Sequence, residues 1–170
     1  MKTSEIVKYI LLALGLCLIQ FIVLDKLQLS TYLQPQILVL IPLILPIQTR
    51  RPSLFLIAFA IGMIADFFLN TFGLNTFCMV LVAYLRSFWL PKEDNPRPEF
   101  NVVPSLQIVL NPKWISYILI LSAIYHFSYF ILEYMAIKYF FRILLTALLS
   151  TALSIFVQWI IYQLFLKNRI

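Results

Sequence analysis

The apolar residues of this chain come in runs long enough to cross a bilayer, and that grouping constrains the fold more than any single motif. Ile6 to Leu24, Leu54 to Leu69, Leu74 to Leu90, Trp114 to Leu132 and Tyr139 to Leu166 are predominantly apolar. About 20 such residues make one helical crossing. A sixth run, Ile37 to Ile47, carries Pro42 and Pro46 and is followed by Arg50 and Arg51, so it is short, kinked or re-entrant. With 170 residues, of which 62% are hydrophobic and 12% charged, little is left for a folded soluble domain. The expected architecture is an all-α integral membrane protein, a single transmembrane domain over residues 1–170. It is a six-helix bundle, with five helices as the alternative. The spans fall at about 6–24, 34–48, 54–69, 74–90, 114–132 and 139–166, with a loop at 91–113.

The thirteen Lys and Arg lie between the apolar runs rather than on one face, so the net charge of +6 is a topology signal and not a nucleic-acid footprint. With six spans, Lys2, Lys8, Arg50, Arg51, Arg86, Lys92, Arg97, Lys113, Lys167 and Arg169 share one side and Lys26, Lys138 and Arg142 the other. The first side, with the N-terminus, is then cytoplasmic. With five spans, Lys2, Lys8, Lys138 and Arg142 fall outside. Both arrangements put the proline-rich Pro91 to Lys113 loop inside and the Asn70 to Gly73 turn outside. Cys17 and Cys78 sit inside apolar runs, where a thiol behaves as a small hydrophobe. The basic N-terminus and the apolar run after it look like a signal peptide but lack a small-x-small cleavage site, so they form a retained first span.

Asp66 is the ionisable residue that most needs a reason, because a carboxylate within a span is costly unless it is paired, protonated or hydrated. Measured back from Gly73 it lies about 10 Å below the outer turn. His126, at the same remove from Glu133, lies at a similar depth, and Gln20 is also in the outer half. These depths suggest a polar cluster of Gln20, Asp66 and His126. Gly62 lies one turn from Asp66 on the same helix face, where it would let a neighbouring helix approach closely. One histidine excludes HExxH, and there is no GxSxG and no glycine-rich phosphate loop, so no catalytic residue, metal site or cofactor is expected.

The stretch from Phe55 to Leu90 resembles the central hairpin of the MreD family of rod shape-determining membrane proteins. The pattern is G-x-x-x-D-x6-G-L, occupied by Gly62, Asp66, Gly73 and Leu74, with Asn75 just beyond and Arg86 where a basic residue commonly closes the second helix. The motif covers about a fifth of the chain. The resemblance implies a non-enzymatic scaffold of the bacterial inner membrane, part of the cell-elongation machinery. It would bind the single-span protein MreC and link MreB filaments to peptidoglycan synthases, with membrane lipids as its other partners and no nucleic acid. Gly62, Asp66, Gly73 and Asn75 become the partner-binding or helix-packing residues. MreD-like proteins also look like the six-helix substrate-binding subunits (S-components) of energy-coupling-factor transporters, which leaves a small-solute-binding subunit as the alternative. Against that alternative, the first span offers Ala13-Leu-Gly-Leu-Cys17 where those subunits often carry A-x-x-x-A.

Overall fold

The computed structural model describes residues 3–24, 34–46, 49–89, 112–135, 138 and 140–161, and every regular element among them is helical. They are α1 (Thr3–Leu18), which continues as a π-helical turn over Ile19–Leu24, α2 (Leu40–Ile44), α3 (Arg51–Leu69), α4 (Leu74–Trp89), α5 (Pro112–Tyr134) and α6 (Phe140–Ile161). Arg51–Leu69, Ser116–Tyr134 and Phe140–Ile161 are long and apolar enough to cross a membrane, and Ile10–Ile22 and Leu74–Trp89 are shorter apolar helices. The chain is thus a membrane-associated protein, all-helical among the described residues. α3 packs along α4, α4 along α5 and α5 along α6, with α2 against α3 and α4. Their outward faces carry large exposed apolar side chains such as Leu56, Phe67, Phe141 and Leu148. Water would penalise that surface; lipid tails do not. Residues 25–33, most of the expected 91–113 loop, and 162–170 with Lys167 and Arg169, lie outside the described residues.

Helix ends follow local chemistry. α3 starts a turn before the expected Leu54 because Pro52 sits at its first turn, where a missing N–H costs nothing and the fixed φ suits the helix. It ends at Asn70, left-handed at φ 55° and ψ 43°, whose N–H bonds the Asp66 carbonyl. At the far end of α5, Arg142 lies with its guanidinium 5.6 Å from the centre of the Tyr134 ring, a cation–π contact near the helix ends.

The expected span at 34–48 is where the structure departs from one continuous helix. Residues 34–39 are not helical, and only Leu40–Ile44 form a short helix. Three prolines explain this. A residue before proline is pushed toward extended backbone, which opens the chain at Gln34 before Pro35 and ends α2 at Leu45, φ −56° and ψ 148°, before Pro46. Pro42 is tolerated because it falls in the first turn of α2, where N–H groups have no helical partner. This irregular segment is no surface loop. Ile37, Leu38 and Val39 are 0% exposed and Leu40 to Leu45 nearly so, which makes residues 35–45 the centre of the core.

The α3–α4 contact is unusually close at Gly62. A Cβ there would lie 2.4 Å from the Thr76 Cα and 2.9 Å from its N, backbone atoms that cannot give way. Gly62→Ala should therefore force the helices apart and destabilise the protein by about 1–3 kcal/mol, the range for overpacking. Thermal unfolding of the detergent-solubilised protein would show it. Gly15→Ala, with nothing within 4 Å, should leave the midpoint unchanged or raised.

Candidate functional site

Polar side chains inside the helical body form two constellations. The first closes the α3–α4 hairpin. Phe77 N–H bonds the Gly73 carbonyl at 3.0 Å, which makes Gly73 the N-cap of α4. Its φ of +92° favours glycine, so the N-cap has no side chain to accept the free N–H groups of the first turn. Asp66 supplies the missing cap from the preceding helix. Its Oδ1 accepts the Asn75 N–H at 2.9 Å, and its Oδ2 accepts the Thr76 N–H at 2.9 Å. The Thr71 hydroxyl donates to Oδ1 at 2.6 Å, the Asn75 amide to Oδ1 at 3.2 Å and the Thr76 hydroxyl to Oδ2 at 2.5 Å. A carboxylate at a helix N-terminus also interacts favourably with the helix dipole. Asn75 carries the network onward, donating to the Thr71 hydroxyl at 2.7 Å and accepting from Tyr125 of α5.

The residues of the G-x-x-x-D-x6-G-L pattern therefore have physical tasks. Gly62 admits the backbone of α4, Asp66 caps it and Gly73 makes the turn. The helix that Gly62 admits is the chain's own α4, and the groups that satisfy Asp66 are those of the hairpin itself.

The second constellation holds the buried irregular segment. Gln20, turned inward within the π-helical end of α1, donates from Nε2 to the Pro35 carbonyl at 3.1 Å and accepts the Ile37 N–H on Oε1 at 2.9 Å. Ser150 and Ser154 of α6 accept the Gln34 and Gln36 N–H groups at 3.1 and 2.9 Å. Gln158 Nε2 reaches the Gln36 carbonyl at 3.5 Å. At the other end, Arg86 of α4, 2% exposed, donates to the carbonyls of Pro42, Leu45 and Pro46. These carbonyls are the open C-terminal end of α2, where a cation is also favoured by the dipole. Tyr117 of α5 donates to the Leu43 carbonyl at 3.4 Å.

His126 belongs to this second set. Its Nδ1 lies 2.8 Å from the Ser122 carbonyl, which can only accept, so we place the proton on Nδ1. Nε2 then accepts from the Ser154 hydroxyl at 3.0 Å, the same oxygen that takes the Gln36 N–H. One turn of α5 away, Ser122 Oγ has no partner among the described residues, nor do Gln36 Oε1 and Gln158 Oε1. α5 and α6 run in opposite directions, so Ser122 and Gln158 sit at one level, one turn from the His126–Ser154 bond. Oxygens with unused lone pairs suit a ligand that brings donors, not an anion.

The proposed cluster of Gln20, Asp66 and His126 is thus corrected. Gln20 and His126 meet through residues 35–37 and Ser154, whereas Asp66 bonds within the hairpin. Matching depth does not fix which way a side chain points, and the free N-terminus of α4 claims the carboxylate. Among the described residues no three His, Cys, Asp or Glu are grouped to hold a metal ion. Comparison of the chain with protein-family models, with curated proteins and with solved structures finds no match in any of the three.

Reasoning from single residues passed over the stripe on α6. Thr146, Ser150, Ser154 and Gln158 recur every fourth position in a helix whose only other polar residues are Arg142 and Thr151, and all four are buried. That spacing, one polar ridge along a span, was the available signal.

Two outcomes follow. Asp66→Asn keeps one acceptor oxygen and should lower the unfolding midpoint less than Asp66→Ala, which removes both caps and should cost about 2–3 kcal/mol. Arg86→Met should be worse than Arg50→Gln, because it strands buried carbonyls at about 1–3 kcal/mol each while Arg50 is exposed. Midpoints in one detergent rank all four variants.

Proposed function

We propose that this chain is a non-enzymatic, multi-pass scaffold of the bacterial inner membrane that binds the single transmembrane helix of an MreC-like partner. Through that partner it connects MreB filaments to peptidoglycan synthases. In this reading the chain crosses the bilayer six times, with the N-terminus and the 91–113 loop in the cytoplasm. In this reading residues 34–46 belong to the second crossing, non-helical over 34–37, turning at Leu38 and Val39 and helical over Leu40–Ile44.

The observation that carries the reading is the construction of the α3–α4 hairpin. The residues that resemble the MreD pattern close a hairpin that is rigid by virtue of its own hydrogen bonds. It leaves Leu56, Phe59, Met63 and Phe67 exposed at spacings of three and four, one stripe along α3. Such a preformed apolar ridge suits a partner helix within lipid, where packing rather than water exclusion drives association. Asp66 acts by holding the ridge in place, without touching the partner.

Co-purification from solubilised native membranes tests this at matched expression levels. Wild type should recover an MreC-like single-span protein. Asp66→Ala and the double variant Phe59→Ala/Met63→Ala should each recover roughly tenfold less, about 1.4 kcal/mol. Recovery of an ATPase pair with a helical coupling subunit, or unchanged recovery by both variants, would contradict the scaffold reading.

One observation favours a second reading as the substrate-binding subunit of an energy-coupling-factor transporter: the oxygens of Ser122, Gln36 and Gln158 that find no partner among the described residues, near His126. A ligand there should stabilise the protein by about 2.7 kcal/mol at a hundred times its Kd. No thermal shift across a panel of vitamins would count against it.

A further inference from the structure

Between α3 and α4 lies an open apolar groove of about 290 Å³, lined by Phe55, Phe77, Val80, Leu81 and Tyr84. It shares no lining residue with the Leu56–Phe67 stripe or with either polar constellation. Val80 and Tyr84 are one turn apart on α4, as are Phe77 and Leu81, so the lining runs along the helix axis for about 10 Å. Charge lies one turn beyond it along α3. Arg51 lies one turn before Phe55 at the N-terminal end of α3, with Arg50 beside it, and both are exposed. Neither is engaged by a carboxylate among the described residues. α3 is long and apolar enough to cross a membrane, and a helix that does so has its first residue at headgroup level whichever way the chain is oriented. Phe88 and Trp89, exposed at the same end of α4, are the aromatic residues expected at that interface.

We infer that this groove is a binding site for an anionic phospholipid, with the phosphate on Arg50 and Arg51 and an acyl chain along Phe55, Phe77, Val80, Leu81 and Tyr84. Charge complementarity decides for a lipid. A helical partner would meet two unneutralised guanidinium groups one turn beyond the groove, whereas a phosphodiester accepts from both, and Arg forks suit phosphate oxygens. The groove is open and lined by four apolar side chains and Tyr84, with no charged residue among them, as an acyl chain requires. Basic clusters at the ends of membrane helices recruit anionic lipids by the same attraction. The site requires only that the protein sits in a bilayer, so it stands apart from the scaffold reading.

Native mass spectrometry of the full chain released from nanodiscs of equal parts phosphatidylglycerol and phosphatidylcholine tests it. Wild type should retain phosphatidylglycerol over phosphatidylcholine roughly fivefold or more. Arg50→Gln/Arg51→Gln should bring the ratio near unity. Leu81→Trp, which fills the groove, should reduce retention of both lipids while the protein keeps its unfolding midpoint. Equal retention of the two lipids by wild type would overturn the inference, as would an unchanged preference in the double Gln variant. Retention abolished by millimolar inorganic phosphate would point to a phosphate site instead. A photo-crosslinker at Leu81 that captures a protein rather than lipid in native membranes would also overturn it.

Discussion

Backbone that leaves a helix inside a membrane protein must find new hydrogen-bond partners, because lipid offers none and each unmet N–H or C=O costs several kcal/mol. Residues 34–46 impose that demand at the centre of this fold, and the surrounding helices are built to meet it. α1 widens into a π-helical turn around Gln20, α6 carries a hydroxyl and amide ridge, and α4 buries an arginine against the open end of α2. These features look unrelated in sequence. They answer one problem, and removing any of them leaves backbone groups stranded in a dry core.

The hairpin of α3 and α4 is a second, local solution to the same kind of problem. A turn tight enough to need Gly73 at positive φ leaves α4 without a capping side chain, and Asp66 reaches across to cap it. The carboxylate is held by hydrogen bonds to neutral donors rather than by a counter-charge, which relieves the cost of placing it near lipid. Tyr125 and His126, adjacent on α5, tie the two constellations to one helix: Tyr125 donates to Asn75 of the hairpin, and His126 accepts from Ser154 beside the irregular segment. The interior is therefore rigid and polar where it must be. The exterior, with its apolar stripe, its groove and its basic end, is left for lipid and partners.

Much of the fold is legible in the sequence because lipid makes the rule simple: runs of apolar residues become helices. The hairpin at Asn70 to Gly73 and the attention due to Gly62 and Asp66 follow from residue type and spacing, whereas Asn75 enters only through the family resemblance. The joint task of those residues follows from neither, since it depends on the free N–H groups of α4, which appear only once Gly73 is known to be its N-cap. The cluster of Gln20, Asp66 and His126 failed for a related reason, as depth along a helix carries no azimuth. Pro42 and Pro46 announced a short, kinked or re-entrant segment at 37–47, but the irregular backbone begins earlier, before Pro35, and its depth of burial required the α6 ridge, whose four-residue period is visible in the sequence once polar rather than apolar positions are counted.

The central claim is that residues 34–46 are irregular backbone locked within the core by side chains of other helices. Hydrogen–deuterium exchange of the protein in nanodiscs, followed on peptides covering this segment, measures that lock directly. The account predicts slow exchange at the Gln36 and Ile37 amides in wild type and markedly faster exchange there in Ser154→Ala and Gln20→Leu, with α3 unaffected. Exchange in wild type as fast as in an exposed loop would contradict it, as would protection that neither substitution changes.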